Sequence, residues 1–405
     1  MAVNPELESA GPAHVATVSF LASRAVPSGG FAVALAGGTA LARVGARLGV
    51  RQGFGASIAA MLETVAIMGP ARFGVPLTQA VGAPLLGGMH AKGRGVAAQV
   101  AVAALIRLVS NTAGASFFIF VITGGLDAYS GTYENIAGRL GIELGQRGTI
   151  VATAVALLLW TAVASVAQVL VYRRGLNRWP EGQLDGESQP VEPYVHRGRF
   201  DPRVAALATA GVFGLLLAST AWVLLGGVVA WLSVSTALAR GDRRVWRTGF
   251  ALAGVLALGA IVFSLTGGLG VDVAARRGLR AGLLVLAATW LRAAAGADGL
   301  REVSRRALAR LKRLPAVSEA ARVLDSIGSE GRLVAAGKSM VDRAAAVPFA
   351  IVPLVDAMLG WAIDEAGRYR PPPVPPVPPA LALRARAVDA LLVVAAALPG
   401  LVLVV

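Results

Sequence analysis

The 405-residue chain has no cysteine, only three histidines and few charges, with Asp, Glu, Lys and Arg together making up 15% of it. The absence of cysteine excludes disulfides, a thiol nucleophile and cysteine-ligated metals, and leaves the redox compartment open. His14, His90 and His196 lie in different segments without i, i+4 spacing or a carboxylate cluster nearby. They are expected in loops or interfaces, not as metal ligands. No Gly-x-Ser-x-Gly, His-Glu-x-x-His or paired-carboxylate arrangement appears. Gly337-Lys338-Ser339 resembles the end of a phosphate-binding loop, but five residues separate it from Gly331 where four are needed, and no apolar strand precedes it. The chain is therefore expected to be non-enzymatic, without a cofactor or a nucleotide site of its own.

What is abundant is apolar. Hydrophobic residues are 56% of the chain and mean hydropathy is +0.66, whereas a soluble domain carries nearer a quarter charged residues. These values predict an all-α, polytopic integral membrane protein. Net charge is +15 with a pI near 11.3. The basic residues cluster between apolar runs, without the interleaved aromatics of a single-strand platform. That pattern follows the positive-inside rule, so the expected partner is the lipid bilayer of a cell (plasma or inner) membrane, and no nucleic acid.

Val204 to Ala239 has no charged side chain. As one helix it would be roughly 54 Å long, against a bilayer core of about 30 Å. It must therefore turn, near Ser219-Thr220 or Gly226-Gly227, into a hairpin with basic residues at both mouths. Before it, the apolar runs Phe31 to Val50, Phe54 to Met68, Phe73 to Met89, Val96 to Gly124 and Gly148 to Tyr172 predict an N-terminal module (1–172) of five or six spans. Met1 to Arg24 shows no removable signal-peptide pattern. Ala32, Ala36 and Ala40 fall on one helical face, where small residues let helices approach closely; a specific docking face and ordinary packing both fit. Glu63 is the sole acid between Glu8 and Asp127 and lies within an apolar run. An ionisable group there faces a cavity or a partner, and Arg107, inside Val100 to Phe120, is the candidate partner. Glu63, Arg107 and Asn111 form the candidate substrate pocket, with an internal ion pair as the alternative.

Residues 173–200 read as a cytoplasmic linker with mixed charge and three prolines, and 201–405 as a second module. Trp246 to Leu265 and Leu279 to Leu291 are further spans. From Ala293 to Arg343 the charges become dense while Leu300, Val303, Leu308 and Leu311 keep an apolar stripe, broken at Pro315. The reading is of long amphipathic helices, at about 297–345 and 355–369, on or below the cytoplasmic face. Pro371 to Pro379 is a stiff connector to a last span, Val388 to Val405.

From Arg199 onward the order of these features resembles the transmembrane T component of energy-coupling factor transporters. The resemblance rests on Asp201-Pro202-Arg203 before the hairpin, the basic turn Arg243-Arg244, Thr266-Gly267-Gly268, Arg277-Gly278-Leu279-Arg280, the two amphipathic segments and Arg386-Ala387-Val388-Asp389. It implies two coupling helices gripped by two ABC-type ATPase subunits, with Arg332 and Arg368 as the contacting cations and Arg310 and Arg322 beside them. The family's Ala-Arg-Gly triplets are rearranged here to Glu330-Gly331-Arg332 and Ala366-Gly367-Arg368. The resemblance further implies import of a vitamin or metal ion bound by an S component, either separate or, from the size and position of the first half, fused there; a lineage-specific membrane extension fits the first half equally. A scaffold that keeps the coupling fold without ATPase partners is the alternative.

Overall fold

The structure is a computed structural model and describes residues 5–26, 29–70, 77–180, 198–239, 243–348, 350–369 and 386–403. All regular structure among them is helical. The first half forms α1 (Pro5–Ala22), α2 (Gly30–Arg47), α3 (Val50–Met68), α4 (Leu77–Ala91), α5 (Val96–Phe117, continued by a π turn to Ile122), α6 (Leu126–Arg139) and α7 (Gln146–Arg178). The second forms α8 (Pro202–Ala218), α9 (Trp222–Ala239), α10 (Arg243–Thr266), α11 (Val271–Arg310), α12 (Val317–Ser326), α13 (Glu330–Ala345), α14 (Ile351–Arg368) and α15 (Ala387–Ala397, ending in a 3-10 turn to Leu403). Five of the described helices are long and apolar enough to cross a membrane: Val96–Ile122, Gln146–Arg178, Trp222–Ala239, Arg243–Thr266 and Val271–Arg310. The chain is thus an all-helical protein of membrane type. Of the five or six spans expected in the first half, two are in that set.

The uncharged stretch turns where its length requires. Asp201 caps α8 by accepting from the Arg203 amide at 2.9 Å, with Pro202 at the first helical position. The helix stops at Ala218, and the Ser219 hydroxyl accepts from the Ala221 amide at 3.1 Å in the turn. The two arms are held less by each other than by α11 and α15, which pack against both. The Trp231 indole donates to the Leu392 carbonyl at 3.2 Å. Asp389 accepts from the amides of Arg386 and Asp201, tying the start of α15 to the cap of α8. The final apolar segment, expected from Val388 to Val405, is a shorter helix whose last described turns tighten around Pro399.

Two hydrophobic cores result. The smaller gathers α8, α9, α11 and α15 around Trp290. The larger joins α1–α4 and α7 to α12–α14, so helices from both halves share one interior. At its centre is α1, buried from Ser9 to Phe20 and flanked by α2, α3, α12, α13 and α14. Its small residues allow this: a Cβ at Gly11 would stand 3.0 Å from the Ala366 carbonyl oxygen. Thr17 returns its hydroxyl to the Ala13 carbonyl at 2.9 Å, so the helix carries its polarity without exposing it.

The amphipathic segments also differ from expectation. The first is continuous with the preceding span, as α11 runs 40 residues and bends at Gly296, whose φ of 73° and ψ of 163° interrupt the helical backbone. Beyond Arg310 the chain breaks at Pro315 and continues as short helices, with Ala316 in a left-handed conformation. Leu300 and Leu308 are buried as the stripe implies, whereas Leu311 is exposed in the turn after α11.

Candidate functional site

Three groups of residues carry chemistry. The first joins α3 to the end of α11. Glu63, 3% exposed, pairs with the Arg301 guanidinium at 2.9 Å, not with Arg107 as expected from sequence. Antiparallel packing brings Arg301 alongside Glu63 from a position 238 residues away, which no local spacing signals. The other arm of Arg301 donates to the carbonyls of Leu324 and Ile327 at the end of α12. Nine residues earlier, before the break at Gly296, Arg292 donates to the Ile67 carbonyl at 2.8 Å and pairs with Glu330 at 2.8 Å. These contacts satisfy carbonyls that helix ends leave without partners. Arg51 with Glu319, and Arg174 and Arg178 with Asp356, complete the ties between the halves.

The second group surrounds α1. Of the loop and interface positions expected for the histidines, His14 takes an interface, fully buried between helices; its ring stacks on Tyr369 at 4.2 Å, and Nε2 lies 3.3 Å from Glu365. Arg332 lies over the same tyrosine ring at 4.4 Å, and the Tyr369 hydroxyl donates to the Ser326 carbonyl. Burial pushes the His14 pKa down against the opposing pull of Glu365, and pushes Tyr369 up to about 12. The His14 contact holds the Glu365 carboxyl below its usual range. Sequence reading missed this node because His14 and Tyr369 meet only in three dimensions; the one available signal was a histidine in a segment of small residues. Of the cations expected to meet a partner, Arg332 is thus half-buried on Tyr369, while Arg310, Arg322 and Arg368 are exposed. Near Arg310, the turn Leu311 to Leu314 exposes Lys312 and Arg313 beside both leucines. An open groove of about 550 Å³ adjoins it, lined by Val50, Arg51, Phe54, Ile58, Pro315 and Ala316.

The third group lies between α5 and α7. Arg107 is 4% exposed, and its guanidinium donates to Gln168 at 2.6 Å and sits 5.5 Å from the Phe31 ring centroid. Asn111, one turn on, donates to the Thr161 hydroxyl at 3.2 Å. Gln168 in turn donates to Tyr172 at 3.2 Å. Two of the three expected pocket residues therefore share a site, and Glu63 belongs to another. Ala36 and Ala40 are buried and Ala32 half-buried, but α2 is packed by α1, α3, α4, α7 and α14, so the small residues serve contact on several sides. At Gly38 on this helix a Cβ would collide with the Tyr172 hydroxyl.

Known protein families, characterised proteins and solved structures provide no match to this chain.

Proposed function

We propose that the chain is the membrane-embedded coupling subunit of an ATP-driven importer of the energy-coupling factor kind, with its first half as the substrate-binding module. The observation that carries this reading is the join between α11 and the first half. A membrane-length apolar helix runs directly into a charged helical block, and that block is fastened to the bundle that holds the polar α5–α7 site by the buried Glu63–Arg301 pair and by the part-exposed pairs of Arg51, Arg174 and Arg178. Movement imposed on α12–α14 would thereby reach the substrate module without a flexible step, because packed interiors transmit displacement instead of absorbing it. The exposed cations Arg310, Lys312 and Arg313 and the adjoining groove suit a partner that offers carboxylates. Hydrolysis of ATP belongs to that partner, and the imported molecule is of the vitamin or metal-ion class. The positive-inside rule assigns the basic ends to the cytoplasm.

Purification in mild detergent tests the assignment: two ATP-binding subunits should accompany the protein in stoichiometric amount. Arg310→Ala with Arg368→Ala should release them while leaving the melting temperature unchanged. Arg332→Ala should act differently, lowering stability through Tyr369. Failure of any ATP-binding subunit to copurify would reject the reading. One observation favours a second reading, a scaffold without ATPase partners: Arg332, expected to grip a partner, is engaged within the chain.

A further inference from the structure

The α5–α7 interface has a polarity that its hydrogen bonds do not use up. Along α7, Thr161, Ser165, Gln168 and Tyr172 recur at helical spacing on one buried stripe of the uncharged stretch between Arg147 and Arg173. Across from it, Arg107 and Asn111 are one turn apart on α5. Two rungs join the stripes, Arg107 to Gln168 and Asn111 to Thr161. Ser165 falls between those rungs in sequence, is 0% exposed, and its hydroxyl has no hydrogen-bond partner among the described residues; the same holds for Arg107 Nε.

The charge is also uncompensated. Arg107 stands about 16 Å along α5 from Val96, within a helix long and apolar enough to span. A cation at such depth is costly unless it is paired, and the neutral Gln168 and the Phe31 ring provide no counter-charge. Between Leu77 and Arg178 the acidic residues are Asp127, Glu134 and Glu143, all beyond the end of α5. No carboxylate among the described residues lies within ion-pairing distance of Arg107.

We propose that Arg107, with Gln168 and Ser165, is a site for a carboxylate or phosphate group of the transported molecule, so that the substrate is an organic anion and not a metal cation. This rests on the importer reading for the word transported; the anion site itself does not. The Arg107 Nε–H, which has no partner among the described residues, can donate to either oxyanion, and the neighbouring Ser165 hydroxyl supplies a further donor. The same fixed positive charge opposes a divalent cation, since like charges repel strongly where the dielectric is low.

The test uses the full-length protein in lipid nanodiscs, without ATPase partners, so its outcome is independent of whether such partners exist. Melting temperature and calorimetric titration are measured with benzoate, its neutral isostere benzamide, and inorganic phosphate, at matched ionic strength. Benzoate or phosphate should raise the melting temperature and benzamide should not; which anion acts distinguishes a carboxylate from a phosphate substrate. Arg107→Met should weaken anion binding about tenfold or more, the scale expected when one charged hydrogen-bond partner is lost. Arg107→Lys should retain part of it. Without anion, R107M should be at least as stable as the native protein, because it removes an unpaired buried charge. The proposal is overturned if benzamide matches benzoate, if no anion shifts the melting temperature, if R107M responds as the native protein does, or if R107M melts well below it, which would mark Arg107 as an internal structural cation.

Discussion

Single residues carry the joins between the halves, and their burial sets the size of the effects. Glu63 and Arg301 are both largely removed from solvent, so deleting one charge leaves the other stranded. Glu63→Gln is expected to destabilise by about 3 kcal/mol, read as a drop in melting temperature, and replacing both residues by apolar ones should cost less than the sum of the single changes. Additive losses would show that the two do not interact. The histidine predicts a pH dependence. His14 faces Glu365 from α14 and Arg332 from α13, with Tyr369 against its ring. Its folded pKa lies below the ordinary 6.5, so the fold favours the neutral form. That contribution is complete above the unfolded value and is lost as pH falls below it. The Glu365 contribution, whose pKa is lowered from 4.5, is lost only at more acidic pH. Between about pH 7.5 and 5.5 the melting temperature should therefore fall, and His14→Gln should remove most of that slope; an unchanged slope would place the titrating group elsewhere. None of these partnerships shows in local sequence, because Glu63 meets Arg301 and His14 meets Tyr369 across hundreds of residues.

At the scale of elements, the bend in α11 marks where a stretch long and apolar enough to span gives way to a charged one. Gly296 has a backbone conformation that only glycine adopts without strain. Gly296→Ala is expected to cost about 1–3 kcal/mol, measured by thermal unfolding. Gly360→Ala is the control: it sits in α14 in open space, and should be neutral or stabilising by about 0.5–1 kcal/mol. Equal effects at the two positions would reject a special role for the bend. Element boundaries were largely legible beforehand. Val204 to Ala239 had to turn because a bilayer is thinner than the helix it would make, and Pro315 had to break the charged segment because proline removes a donor. Less legible was α1, whose alanines, serines and glycines have weak amphipathicity and acquire meaning only when neighbours press on every side. The break at Gly296 was equally hidden, since a glycine among alanines reads as an ordinary helical residue.

Across the whole molecule, the larger core is built from both ends of the chain, with α1–α4 and α7 packed against α12–α14. Fragments 1–188 and 189–405, co-expressed, should copurify as a complex with native helicity, whereas each expressed alone should aggregate with apolar faces unpaired. Either fragment folding by itself would refute the shared core. The amino-acid sequence alone determined the solvent this protein lives in, its helical class and the places where helices stop. Those properties follow from hydropathy summed over neighbouring residues, from helix length and from proline, glycine and capping side chains, all of which act locally. Tertiary structure alone decided that Glu63 serves a joint and Arg107 an interior site, that Arg332 rests on Tyr369, and that α1 lies at the centre. Such choices depend on which distant surfaces meet, and a charge buried in an apolar medium is defined by the partner that packing brings to it.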